Sequence, residues 1–159
     1  MPAATCRLSF VLVLLAHQRR RVVHVAVTAY PTAAWTAQQL REAFPWDDAP
    51  RYLLHDRDLA FTGLTATAQA LAIREVPTAP RSPWQNAERF IGSVRRECLD
   101  HVIILTVAGL RRVLTAYVTY YQRSRTHLAL DKDAPSSRAV SPSTAGRIIA
   151  IPQVGGLHH

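Results

Sequence analysis

Lysine is nearly missing from this chain: Lys132 stands alone among 159 residues, although Lys and Arg together number 19. The positive charge is therefore carried almost wholly by guanidinium groups, which suit bidentate contacts to phosphate better than ammonium does. A codon bias toward arginine would produce the same Arg-to-Lys ratio, but it would not produce the net charge. Acidic residues number only 11, none precedes Glu42, and the formal charge is +8. Such a balance points to a polyanionic partner, with nucleic acid foremost. Cysteine is scarce too. Cys6 and Cys98 are too far apart for a metal-ligand motif and too few for a disulfide framework, which suits a reducing cytoplasm. No apolar run is long enough to span a bilayer. The longest, Leu8 to Ala16, follows a single Arg7 and precedes Arg19, Arg20 and Arg21, an arrangement that argues against a secretory leader and for a buried strand.

What is present suffices for one core. At 48% hydrophobic content, 159 residues form a single domain of mixed structure. Val, Leu and Phe crowd residues 6–15 and 22–28, and the polar stretch His17 to Arg21 between them reads as the turn of an antiparallel pair. Residues 33–44 place Trp35, Leu40 and Phe44 at helical spacing before Pro45. A short strand is expected over 51–55, a helix over 62–72 and a strand over 73–76. The three prolines between Pro77 and Pro83 require a loop. Asn86 is expected to cap a helix running to about Leu99, with a further helix over 106–122. Residues 1–123 then form the core, and residues 124–159 an extended polar tail of that core. The order of elements is that of an α/β domain.

Two acids stand where chemistry could use them. Cleaving and joining phosphodiesters with divalent metals requires converging carboxylates, because hard cations take oxygen ligands. Asp56 follows the apolar run Tyr52, Leu53, Leu54 and should lie at a strand's end, where α/β sheets present functional groups. Glu88 falls in the first turn of the helix after the proline loop. On that helix Phe90, Ile91, Val94 and Cys98 share one side, and Glu88, Gly92, Arg95 and Leu99 another. The plainer reading of either acid alone is a solvated surface carboxylate, with Glu88 and its neighbouring arginines pairing weakly.

The segments HDRDLAF (55–61), APRSPWQNAERFIGSVRRECLDH (79–101) and YYQRSRTHLALDKDAP (120–135) resemble, in order and spacing, the signatures of the DDE integrase core of bacterial insertion-sequence transposases. The likeness runs over essentially the whole chain. It implies a ribonuclease H-like fold, a mixed sheet flanked by helices, two Mg²⁺ or Mn²⁺ ions, and strand transfer of transposon ends into target DNA during transposition and DNA recombination. Asp56 matches the second acid of the family and Glu88 its glutamate, which makes both catalytic and metal-binding by resemblance; Asp58 is the runner-up to Asp56. By the same resemblance Arg81, Trp84, Gln85 and Asn86 approach DNA ahead of the glutamate. Arg95 and Arg96 meet phosphates, and Arg123, Arg125 and His127 form the basic run after the last helix. A loop role for Trp84, closing over the core, competes with stacking on DNA, and a structural role for His127 is favoured over a catalytic one. Partners are expected to be DNA, a second copy or an intact transposase, and no membrane.

Two departures qualify the match. The first acid of the family belongs on its first, central strand, yet no Asp or Glu precedes Glu42, so that strand is expected to be missing from this chain. Only residues 57–87 separate Asp56 from Glu88, a few fewer than the family's usual spacing. Two residues lost from a helix turn everything upstream by about 200°. The expectation is a catalytically incomplete transposase core; the alternatives are a non-catalytic DNA-binding or transposase-interacting module and, with least support, a small nuclease.

Overall fold

A computed structural model describes residues 8–45, 48–79, 85–139 and, in the C-terminal segment, 142, 144, 146–147 and 149–158. Strand β1 (Phe10–Leu15) and strand β2 (Val22–Thr28) pair antiparallel, with Phe10 opposite Thr28 and a bulge between Leu14 and Leu15. The turn between them was expected, but not its geometry. Arg19 and Arg20 sit in left-handed backbone, at φ 54° and 55°, a conformation that costs a β-carbon-bearing residue free energy. Arg19 is held there from a distance. Its Nε donates to the Pro135 carbonyl at 3.0 Å, and one terminal nitrogen donates to the Asp133 carboxylate at 2.6 Å and the Ala134 carbonyl at 2.8 Å.

Helix α1 (Ala33–Ala43) starts where Thr32 accepts a hydrogen bond from the Trp35 amide. It turns Ala37 and Leu40 inward against Leu64 and Ala68 of helix α2 (Leu64–Ala70) and against Ile73. Gly63 permits that approach, since a β-carbon there would lie 2.8 Å from the Ala33 methyl. Strand β3 (Tyr52–His55) pairs in parallel with strand β4 (Arg74–Pro77). A crossover through α2 connects them, the usual solution for parallel neighbours.

Helix α3 (Gln85–Glu97) and helix α4 (Val107–Arg123) close the other side of the molecule. Phe90, Val94 and Cys98 of α3 pack with Leu110, Leu114, Tyr117 and Tyr121 of α4 and with Val22 and Val27 of β2. The Phe90 and Tyr121 rings meet edge to face at 4.9 Å. Two cores result, one on each side of the β1–β2 hairpin. Val13 and Leu15 lean on the α3–α4 core while Leu14 leans on the α1–α2 core, as the alternation of a strand demands.

The mixed α/β architecture is the expected one. Among the described residues its sheet is two separate pairs, β1–β2 and β3–β4, rather than one continuous sheet. Asn86 does not cap α3; it lies inside the helix, which begins at Gln85. The tail is not simply extended either. Residues 127–133 form a bridged turn, and Ala134 is buried at 1% exposure. Among the described residues no helix is long and apolar enough to cross a membrane.

Candidate active site

The two half-sheets face one another across a cavity of about 240 Å³. Leu12, Val13 and Leu14 of β1 line one wall, and Leu53, Leu54 and His55 of β3 line another. Thr36 and Leu40 of α1, with Phe61 and Leu64, close the cavity from one helix layer; Ala87, Glu88 and Ile91 of α3 close it from the other. Asp56, immediately after β3, completes the lining, so both acids singled out in the sequence border the same cavity.

Each acid is exposed and owes its place to local structure. Asp56 leaves the parallel strand β3 at its C-terminal end, and its Oδ1 accepts the Asp58 amide at 3.2 Å in a tight turn. Asp58 is occupied otherwise: its Oδ1 accepts the Ala60 amide at 2.8 Å and starts the short helical turn Leu59–Phe61. Asp56 lines the cavity and Asp58 does not. Glu88 stands in the first turn of α3, where the helix dipole favours a negative charge. His55, the last residue of β3, lines the cavity beside Asp56. Its Nδ1 lies 2.6 Å from the Asp56 carbonyl oxygen and its Nε2 3.3 Å from Glu75.

As a donor set, two carboxylates from separate elements match hard divalent cations in kind. They fill a minority of the six positions such an ion offers, and no group of three or more His, Cys, Asp or Glu that could hold a metal occurs among the described residues.

The α3 face is arranged as expected at Phe90, Val94 and Cys98, all buried, and at Glu88, Arg95 and Arg96, all exposed. Ile91 differs. It is 48% exposed and borders the cavity instead of joining the core. Arg96 folds back over Gly92, where a β-carbon would meet a guanidinium nitrogen at 3.1 Å. Gln85 and Asn86 lie in the first turn of α3, and Arg81 and Trp84 lie outside the described residues.

The basic run after α4 divides. Arg123 is exposed, but Arg125 and His127 turn inward. Arg125 forms a two-point bond with Glu97, at 2.8 and 2.6 Å, and the Tyr117 hydroxyl donates to the same carboxylate at 2.9 Å. Burial pushes the Glu97 carboxyl up, yet the hydrogen bonds from Arg125 and Tyr117 outweigh it and hold it below the usual carboxylate range. His127 is buried at 7% exposure and its Nε2 has no hydrogen-bond partner. Burial, then the charges of Arg125 and Arg20, push its ring below the ordinary histidine range. Arg125 ties the end of α4 to the end of α3, and His127 packs behind it, its Nδ1 3.1 Å from an Arg125 nitrogen. Glu97 was not singled out in the sequence, because nothing local marks a partner 28 positions away.

Comparison with known proteins agrees with this architecture. Residues 71–135 match the integrase core domain family, a span that contains Glu88 and both packed helices. A 39.2 kDa protein of insertion element IS476 from Xanthomonas euvesicatoria is 28% identical over 174 aligned residues, covering 99% of this chain and 50% of that protein. Among solved structures, a chain of the simian T-cell lymphotropic virus intasome in complex with PP2A regulatory subunit B56 gamma superposes with a TM-score of 0.62 at 14% identity. That match covers 89% of this chain and 53% of the other, so the chain spans about half the length of the relatives it matches. Residues 71–135 of the chain are thus similar in sequence to the integrase core domain, and its fold is similar to that of a retroviral integrase core.

Proposed function

We propose that this chain serves DNA integration or transposition by divalent-metal-dependent strand transfer, with Asp56 and Glu88 as two of the metal-binding carboxylates. The observation that carries the reading is their meeting at one cavity although residues 57–87 separate them in sequence: one stands at the end of a parallel strand, the other in the first turn of a helix. Mg²⁺ or Mn²⁺ held there would polarise a phosphate and activate the attacking oxygen. The protein's own part is to hold the two carboxylates on rigid elements and to lead DNA toward them. Arg95 and Arg96 project from the exposed side of the same helix, and Arg123 from the end of α4. Arg81, Trp84, Gln85 and Asn86 are assigned to the approach of DNA by resemblance. Partners in this reading are transposon-end and target DNA, and a second copy or an intact transposase.

Two carboxylates are too few for efficient two-metal chemistry, so the chain by itself is expected not to join ends to target. Purified protein incubated with labelled transposon ends and plasmid in Mg²⁺ tests this directly. Joined product that disappears in Glu88→Gln would show that the two acids suffice. A second reading, a non-catalytic DNA-binding module, rests on the exposed Arg95, Arg96 and Arg123. Salt-dependent DNA binding that ignores both EDTA and Asp56→Asn would favour it.

A further inference from the structure

Helix α4, VAGLRRVLTAYVTYYQR, carries no acid along its whole length. Its buried side chains, Leu110, Leu114, Tyr117 and Tyr121, pack with α3 and β2. At about 100° per residue, Arg111, Arg112, Thr115, Thr119, Gln122 and Arg123 centre on the opposite side of the helix. Gln122 is partly exposed and the others are exposed. Arg21, at the end of the β1–β2 turn, joins that side. It lines one hollow with Thr119, Gln122 and Arg123, while Arg111, Arg112 and Thr115 line a second. None of these residues borders the cavity of Asp56 and Glu88.

The charges on this face are uncompensated. Arg19 and Arg125 each bind a carboxylate. Among the described residues Arg21, Arg111, Arg112 and Arg123 bind none, and no Asp or Glu lines either hollow. Arg111 reaches only the Val27 carbonyl, at 3.4 Å. Cations gathered on one acid-free face repel one another, and a polyanion relieves that repulsion. The middle of the face is low and neutral: Ala108 and Ala116 are small, and Thr115 and Thr119 donate their hydroxyls back to the Arg111 and Thr115 carbonyls. Donors for phosphate therefore stand at two ends, Arg111 and Arg112 at one, Arg21 and Arg123 at the other. From Arg112 to Arg123 the axis rises about 16 Å.

We infer that this face of α4 is a separate nucleic-acid contact that holds the phosphate backbones of duplex DNA, its two basic ends on the strands flanking the major groove and its low middle lying across that groove. The major groove of B-form DNA is about 12 Å wide, so phosphates on its two rims are within reach of arginines anchored about 16 Å apart. A small anion would engage one end only. A single strand is held by stacking on aromatic side chains, and no aromatic residue lines either hollow. Contact through phosphates carries no sequence preference of its own. The inference stands on α4 and the hairpin turn and not on the metal reading, so either can fail alone.

Fluorescence anisotropy of the full chain with a labelled duplex of about two helical turns, roughly 20 base pairs, tests it in EDTA over a range of salt concentrations. The double variant Arg21→Gln, Arg112→Gln changes two exposed side chains. It should keep the circular dichroism spectrum and reduce the slope of log affinity against log salt by about two, since each phosphate contact contributes about 0.9. Glu88→Gln should leave that slope unchanged. In the unaltered chain, modification of Arg21 and Arg112 by phenylglyoxal, read by mass spectrometry, should be slowed by the duplex, which tests the face without any variant. A slope that the double variant leaves unchanged would overturn the proposal, as would modification of both arginines that the duplex does not slow. Tighter binding of the corresponding single strand than of the duplex would do the same. So would a double variant that sediments as a smaller species with its salt slope intact, since the face would then join two copies of the chain.

Discussion

Replacing Arg125 by methionine tests whether the end of the last helix is structural or a DNA contact. Methionine keeps the apolar stem and removes the guanidinium, so both bonds to Glu97 are lost while Tyr117 still donates to the orphaned carboxylate. Removing one partner of a fully buried ion pair costs about 3–5 kcal/mol, and an exposed pair is worth about 0–1 kcal/mol. Both side chains here keep 25% of their exposure, which places the cost between those limits, near 2 kcal/mol. In a chain of this size that lowers the melting temperature by roughly 4–8 °C. The sign of the pH dependence follows from the lowered carboxyl of Glu97. A depressed folded-state pKa contributes stability that is present above its ordinary value of 4.5 and is lost as pH falls through the folded value. The gap between wild type and Arg125→Met should accordingly be full at pH 7 and shrink toward pH 3. Melting followed by circular dichroism at both pH values measures it, with DNA affinity taken in parallel. A gap under 1 °C at pH 7, or a DNA affinity that falls as far as in Arg123→Ala, would refute the structural assignment of Arg125.

Three further outcomes are expected. Gly63→Ala forces a methyl to within 2.8 Å of the Ala33 methyl and should destabilise the α1–α2 core by about 1–3 kcal/mol, read as a lower urea midpoint. His127 is held neutral by burial and by nearby arginines, so stability falls as pH drops from the ordinary value of 6.5 toward the lower folded value; the stability advantage of wild type over His127→Leu should therefore be smaller at pH 5.5 than at pH 7.5. Asp56→Asn and Glu88→Gln each alter an exposed side chain and should leave the melting temperature within about 0.5 kcal/mol of wild type while weakening Mn²⁺ binding, measured by paramagnetic broadening of nearby resonances.

Most of the element order was legible from local signals. The helical spacing of Trp35 and Leu40 ahead of Pro45 places α1 within a residue of its observed bounds, the turn after Leu15 falls where polar residues interrupt two apolar runs, and α4 ends at Arg123 within a residue of expectation. These agree because capping and hydrophobic periodicity act over a few residues. Asn86 failed as a cap because the helix starts one residue before it, and helix ends are the least determined part of such a reading. The pairing of Asp56 with Glu88 was legible through the resemblance of their flanking segments; alone, neither acid differs from a solvated carboxylate.

What the tertiary structure alone decided is long-range. Glu97 and Arg125 are 28 residues apart and Arg19 reaches Asp133 across 114; no local pattern specifies such partners, since loop closure brings together groups whose sequence neighbourhoods are unrelated. The same holds for Ile91, whose helical position assigns it to the core side, but which borders the cavity that β1 and β3 share. The amino-acid sequence by itself determined that β1 is built for burial, because six consecutive apolar residues have no other stable place in water. Only the assembled fold decided that this strand borders the cavity shared with β3, because such a cavity exists only once the strands have paired and the helices have packed.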